Sequence, residues 1–488
     1  MTKRILCLCA SIFFGSPFAG AEISPYVPPF SGAYETVERL EALGCAFPTL
    51  RILGPQSFLE MKSAVDWDPQ TTQCKAPSWL LDERELLMRG ALPVEFRSDG
   101  YGAFDDRVAL PGISASVVPM FPLRENRPVF TGINVSNEAF LSGRAGGNEL
   151  GYAGAITPGF YGGYDSTSGH LLGRFYIQEM YLKLGYGFSE FTFGRYARRF
   201  GDARHGNLLF SGATAPLDTL EYTLRPLVLP GAMSALGPIS LRTWLGNQGN
   251  DTNVAGTRLW GIELGVRPFH WWELGVIELF QFGGVGAPAL GLGEILSMSA
   301  FGGGLADRRH ASVGIATSFW GPAHRAKLYG QVLWNRIGDT VDAPFSYQAG
   351  LWFPSLGGFD ARFEYVKTAR AAYQHSFWTQ GLSYAGSTMG HPIGPDGEGL
   401  YADFGLPPIA TWWRAEVGAL METRGQSYTG TQTPESRMGG SVSFGRRWGL
   451  ADLQVKIAFH HITGAQYVPG AGIESIGAGA VFRYTFLQ

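Results

Sequence analysis

Charge is scarce in this chain: Asp, Glu, Lys and Arg make up 16% of its 488 residues, against about 25% in an ordinary soluble domain. Hydrophobic residues reach 45%, so something other than water must face part of the surface. That something is not reached by helices. Beyond the first residues, glycine or proline interrupts every uncharged apolar run long enough to span a bilayer as a helix. A net charge of -3 excludes the basic balance of a nucleic-acid-binding protein. Catalytic signatures are missing as well, since neither Gly-x-Ser-x-Gly nor His-Glu-x-x-His occurs. Nine histidines leave a Ser-His hydrolase or a lipid-modifying barrel enzyme as remote readings. His460 and His461 are adjacent near a strand end and point to opposite faces, so they form no simple chelate. No catalytic residue, metal ligand or cofactor is expected.

Cysteine is also rare. Two of the four, Cys7 and Cys9, lie in an uncharged stretch that follows Lys3 and Arg4 and closes with Ala19-Gly20-Ala21. Residues 1–21 read as a secretory signal peptide, cleaved after Ala21. The exported protein then keeps Cys45 and Cys74, and an oxidising compartment makes a disulfide the expectation. Such a bridge constrains the unfolded chain by on the order of 3 kcal/mol. Two unpaired buried thiols are the alternative.

What is abundant points to strands. The 68 glycines, 33 phenylalanines, 20 tyrosines and 13 tryptophans suit strands that bend around a barrel and carry aromatic belts at two interfaces. Residues 22–90 differ, reading as a small periplasmic helical segment. Tyr34, Val37, Leu40 and Leu43 recur near a 3.6 period, with Gly44 placed to stop the turn. Ser57-Phe58-Leu59-Glu60 fits a capping box ahead of Met61 and Val65. A third helix is expected from Ser78 to Gly90, and the Cys45–Cys74 disulfide would tie the three.

From residue 91 to 488 the period becomes two. Lys327, Tyr329, Gln331 and Asn335 interleave with Leu328, Gly330, Val332 and Trp334; Asp360, Arg362 and Glu364 alternate with Ala361, Phe363 and Tyr365. Tight connections are expected at 123–126, 185–188, 268–271, 321–324, 354–358, 407–409 and 447–449. Long ones are expected at 138–173, 197–216, 283–309, 370–398 and 422–437. Their alternation is that of periplasmic turns and extracellular loops, and roughly eighteen antiparallel strands of a transmembrane β-barrel follow. The stretch from Glu149 to Tyr161 is assigned to a loop. Phe482, Tyr484 and Phe486 mark a closing strand of the kind read by the barrel-assembly machinery. Trp271-Trp272 and Trp412-Trp413 fit an interfacial girdle.

Several segments resemble the Wzi family, outer-membrane proteins of capsule assembly. GLSYAGSTMGHPIGPD, from Gly381 to Asp396, is similar to that family's glycine-rich loop ending in Gly-His-Pro. LLFSGATAPLD, from Leu208 to Asp218, is similar to its segment after strand six. Residues 257–268 with 272–284 resemble its central hairpin, and Tyr26-Val27-Pro28-Pro29 with Leu40–Gly44 its helical start. The resemblance implies an 18-stranded barrel closed at its periplasmic mouth by the helices, and an outer face that binds capsular polysaccharide as a lectin. Where the family carries a Trp-Trp-Gly-Pro-Gly loop, this chain has Arg198-Arg199-Phe200-Gly201-Asp202, so the identity of the glycan stays open.

A polysaccharide site needs flat aromatic faces for sugar CH groups and planar or charged partners for hydroxyls and uronates. Three loop clusters supply both: Tyr196, Arg198, Arg199 and Asp202; Trp244, Asn247, Gln248, Asn250 and Asp251; and Tyr373, His375, Trp378, Tyr384 and His391. The competing reading is that polar loop residues are merely solvated and the aromatics pack loops or girdle. Lys327, Gln331, Asp360, Arg362, Glu364, Arg414 and Glu416 are expected to face the lumen. They fill it by pairing or, in the alternative function, select small solutes in an outer-membrane channel with a helical plug. Partners follow from the favoured reading: outer-membrane lipid, extracellular or capsular polysaccharide, and the barrel-assembly machinery during biogenesis.

Overall fold

The computed structural model describes Tyr26, residues 32–85 and 130–486 with gaps, and 92–105. The expected signal peptide, Cys74, Gly44 and the turn at 123–126 lie outside the described residues. Helices α1 (Gly32–Ala42) and α2 (Phe58–Val65) form where the apolar period placed them. Tyr34, Val37 and Leu40 of α1 pack with Met61, Ala64 and Val65 of α2, and Cys45 and Leu80 join them. The capping box is present: the Ser57 hydroxyl accepts the Glu60 N–H, and the Glu60 carboxylate accepts the Ser57 N–H at 2.6 Å. Leu43 departs from the expected face, because the helix ends at Ala42 and the side chain turns to solvent. Of the third helix, Leu80, Leu81, Arg84 and Glu85 are described and helical.

The described residues after 91 are dominated by one large antiparallel sheet. A short strand β1 (Leu53–Gly54) precedes it. The sheet begins with β2 (Leu92–Asp105), β3 (Phe130–Ser136), β4 (Ala139–Arg144), β5 (Leu150–Asp165), β6 (His170–Tyr186) and β7 (Ser189–Arg195). After the small β8 (Arg199–Phe200) come β9 (Asp218–Val228), β10 (Pro238–Asn247), β11 (Arg258–Phe269), β12 (Trp272–Phe282) and β13 (Arg309–Trp320). Then follow β14 (Lys327–Arg336), β15 (Phe345–Leu356) and β16 (Phe359–Lys367). A two-residue hairpin, β17 (Ser383–Tyr384) and β18 (Ser387–Thr388), separates these from β19 (Gly397–Ile409), β20 (Trp413–Arg424), β21 (Glu435–Trp448), β22 (Ala451–Thr463) and β23 (Gly472–Phe486). Apart from β3 and β4, which both pair with β5, successive sheet strands pair with one another, and β23 pairs with β2 from Leu92↔Phe486 to Asp105↔Ile473. Among the described residues, β2 meets β3 through the single pair Arg97↔Ser136.

Two expectations need correction. Leu150–Asp165 is a strand and not part of a loop, and β4 and the start of β6 also fall inside the supposed loop 138–173. The sequence disguises β5 because its two faces alternate in size rather than polarity: Gly151 and Ala153 are buried while Tyr152 and Ile156 are not. Strands β3 and β4 lie end to end along β5. The loop expected at 422–437 is shorter, since β20 runs to Arg424 and β21 starts at Glu435. Tight connections hold elsewhere, as in Phe269↔Trp272, Leu356↔Phe359, Ile409↔Trp413 and Trp448↔Ala451.

Polarity across the sheet is inverted relative to a soluble protein. Lys327, Gln331, Arg362 and Glu364 are buried inside, while Leu328, Val332, Phe363, Val417 and Met421 are exposed outside. The inner volume contains its own apolar core. Leu50, Ile52 and Leu53 meet Phe200 and Leu208–Phe210, the wall residues Leu259, Ile277 and Leu279, and Leu382, Met389 and Ile393. The chain therefore packs itself inside the sheet, with α1 and α2 at the end where the turns are tight.

Candidate functional site

The segment between β7 and β9, expected outside, folds inward. Strand β1 pairs with β8 through Leu53↔Phe200 and Gly54↔Arg199, and the Gly201 N–H donates to the Ile52 carbonyl at 2.9 Å. Gly201 has φ +102°, and a Cβ there would lie 2.0 Å from Gln331 Nε2, so no larger residue fits the approach. All four members of the first cluster are buried. Arg198 donates to Glu221 Oε2 at 2.5 Å and to the Tyr196 hydroxyl at 2.6 Å, and its guanidinium lies 4.3 Å from the Trp244 ring centre. Its pKa is raised: burial opposes the charge, but Tyr196, Glu221 and Glu263 more than restore it. Asp202 stands 3.6 Å from Arg199 and 3.0 Å from Lys327.

In the second cluster Trp244 is buried and donates from Nε1 to Glu263 at 2.8 Å, and Gln248 is buried and donates to the Ser383 carbonyl at 2.8 Å. Asn247 is exposed; Asn250 and Asp251 lie outside the described residues. In the third, Tyr373, His375, Trp378 and His391 are buried and Tyr384 is half-buried. The Tyr373 hydroxyl accepts the His391 N–H at 3.1 Å, and burial raises its pKa. His391 Nδ1 accepts the Ile393 N–H at 3.2 Å, which requires that nitrogen unprotonated; burial lowers the imidazole from 6.5 to about 4. His375 is also lowered by burial, and its ring lies 4.9 Å from Trp378.

The inward charges engage the segments within. Lys327 is 3.1 Å from Glu38 of α1, and Asp360 pairs with Arg39. Glu364 accepts the backbone N–H groups of Arg204 and His205 at 2.7 and 3.0 Å. Glu416 accepts both its bonds from Arg204 at 2.7 Å, and Gln331 donates to Asn207 at 2.6 Å. The Arg362 guanidinium lies 4.6 Å from the Trp352 ring, and Arg414 is half-buried. Near α1, burial pulls the Glu35 carboxyl upward, but Arg204 and Arg39 outweigh it and hold its pKa at about 2. Wall residues thus pair chiefly with Glu38, Arg39, Arg204 and His205, none of which the sequence singled out, because strand alternation predicts the side a residue faces and not which distant segment fills it.

What remains open to solvent at the loop end is narrower. Tyr384 lies against Gly249, where a Cβ would be 3.7 Å from its ring. Arg195 forms a bidentate pair with Asp218 at 2.8 and 2.7 Å, in cross-strand register, and Asp218 is in register with Asn247. Arg258 follows, opposite Asn247. Only Tyr384 and Asn247 of this row were expected; Arg195, Asp218 and Arg258 require the register of β7, β9, β10 and β11 to be brought together. Among the described residues no group of three His, Cys, Asp or Glu gathers as a metal site.

The fold has a counterpart. A solved structure of Wzi from Escherichia coli, described as an outer membrane protein involved in group 1 capsule assembly and a carbohydrate-binding β-barrel, is 14% identical. The match covers 95% of this chain and 100% of that one, with a TM-score of 0.69. OccK5 (OpdH) and OpdQ of Pseudomonas aeruginosa match more distantly, at 8% and 10% identity and TM-scores of 0.47 and 0.48, each over 81% of this chain and 98% of theirs. No curated protein sequence matches the chain. The model of the family described as capsule assembly protein Wzi matches residues 142–405. With more than half of its length so matched, and a shared fold along nearly all of it, the chain belongs to the Wzi family of capsule assembly proteins.

Proposed function

We propose that this protein is an outer-membrane component of capsule assembly that binds extracellular polysaccharide at its loop end and holds it at the cell surface, without catalysis. Residues 91–488 act as the transmembrane anchor. Counting β3 and β4 as one, since both lie along β5, the sheet offers about eighteen strand positions. Lipid contacts the outward apolar residues, and the aromatic stacks at the turn end, such as Trp272 with Phe319 at 5.8 Å, form the lower girdle. Both β2 and β23 begin or end there at the paired residues Leu92 and Phe486, which supports a reading in which the helical segment 22–90 closes the periplasmic mouth. Export through a signal peptide, a Cys45–Cys74 disulfide and insertion by the barrel-assembly machinery complete the reading.

The observation that carries binding over conduction is the packed interior: segments before β2, between β7 and β9, and between β16 and β19 share one core inside the sheet. A chain folded so offers its loop end as a surface. There Tyr384 supplies an aromatic face, and Asn247 with the Arg195–Asp218 pair supplies hydroxyl and carboxylate partners. Many such weak contacts along a repeating polymer sum through high effective concentration. Deleting the gene should release surface polysaccharide into the medium while synthesis continues, and the purified protein should retain that polymer on a column. Unchanged retention on cells together with no column binding overturns the reading.

A further inference from the structure

The connection between β9 and β10 differs from the other turns at its end of the sheet. From Pro226 to Leu241 it carries no charged residue. The arginines on either side turn inward and leave it uncharged outside. Arg225 donates to the Gly187 carbonyl and lies 3.6 Å from Glu190, while Arg242 donates to the carbonyls of Gly54 and Pro55 at 2.7 and 3.0 Å. Between them a 3-10 turn, Gly231–Leu236, has no buried residue. Val228, Met233 and Leu236 are exposed by 60%, 52% and 41%. By contrast, β6 and β7 are joined through Gly187 and Phe188 alone, and β11 and β12 through His270 and Trp271.

An apolar projection of this kind is poorly suited to water. Its placement says what covers it. Gly237, at φ +65°, presses so closely on β11 that a Cβ would lie 1.9 Å from the Arg267 carbonyl oxygen. The turn therefore leans on the strand whose end bears Phe269, stacked on Trp271 at 5.1 Å and 3°. Beside it Trp272 stacks on Phe319. The exposed side chains continue this aromatic girdle sideways, at the level where rings meet lipid headgroups.

We infer that the β9–β10 turn is an interfacial foot whose partner is a phospholipid surface: Val228, Met233 and Leu236 lie among the headgroups and upper acyl chains of the periplasmic leaflet. The inference rests on the barrel reading above. Short surface elements hold such a position by burying apolar side chains at the headgroup boundary.

The test places a cysteine at Met233→Cys in the full-length protein, attaches the fluorophore NBD, and reconstitutes it in phospholipid nanodiscs with and without brominated acyl chains. Labelled protein without the introduced cysteine gives the background. Val417→Cys on the outward wall and Gln426→Cys at the loop end are the lipid and water references. Blue-shifted emission at position 233, with most of its intensity lost to brominated lipid, is the expected result. Water-like emission without quenching overturns the foot. So does emission that shifts only in native envelopes, which would assign the turn to a protein partner. If Val417→Cys is also unquenched, it is the barrel reading that has failed.

Discussion

Lys327 of β14 holds Asp202, from the segment between β7 and β9, at 3.0 Å inside the sheet, and the same ammonium lies 3.1 Å from Glu38 of α1. Wall, inward segment and helix thus share one cation, and all three groups are buried. Lys327→Met should strip the buried Glu38 and Asp202 carboxylates of the cation they share, leaving Asp202 to Arg199, at a cost of about 3–5 kcal/mol. Planar-bilayer recordings should show new conductance as α1 and the inward segment loosen, together with a lower unfolding temperature. A silent variant of unchanged stability would refute the knot.

Gly261 backs the Trp244 indole so closely that a Cβ would lie 2.3 Å from the ring. Gly261→Val should therefore displace Trp244, breaking its hydrogen bond to Glu263 and its contact with Arg198. Overpacking of this sort destabilises by about 1–3 kcal/mol. Near-ultraviolet circular dichroism would register the lost indole environment.

His391 makes the loop between β16 and β19 sensitive to acid. Above pH about 6.5 the imidazole is neutral whether the loop is closed or open. Below that, an opened loop takes up the proton while the closed loop resists until about pH 4. Stability is thus lost as pH falls from 6.5 through 4, by about 1.4 kcal/mol for each unit traversed. Hydrogen exchange at residues 390–394, corrected for intrinsic rates, should show growing protection loss across that window, and His391→Gln should flatten it.

Tyr384→Ala should weaken polysaccharide retention by roughly the 0.5–1.5 kcal/mol of a ring contact, while the unfolding temperature barely moves because the residue is half-buried. Asn247→Ala should act in the same direction. Column affinity compared between the two variants and the parent measures both effects.

Reduction should slow the mobility of the protein in denaturing gels if Cys45 and Cys74 are joined, and Cys45→Ala should abolish the difference. The bridge should contribute on the order of 3 kcal/mol to the helical segment, read as a lower melting temperature of the Cys45→Ala variant.

Much of the architecture was legible because strands advertise themselves by alternation and turns by their residues. Lys327–Arg336 and Phe359–Lys367 emerge where the polar-apolar pattern placed them, and Ser57 caps its helix as its spacing with Glu60 implied. Strand β5 escaped because glycine and alanine replace polar side chains on its inner face, so polarity carried no signal. The candidate site was read less well for a different reason. Arg198, Arg199 and Asp202 have the chemistry of a solvent-facing sugar contact, but inside the fold Arg198 donates to Glu221, Arg199 to the Gly201 carbonyl, and Asp202 lies against Lys327. Polar composition tells that a segment needs partners; only the tertiary fold tells whether those partners are water.

The ladder joining β2 to β23 runs the full length of both strands, whereas among the described residues β2 and β3 share the one registered pair Arg97↔Ser136. Start and finish of the wall are consequently stitched to each other, so neither β2 nor β23 presents that edge for another chain to pair with.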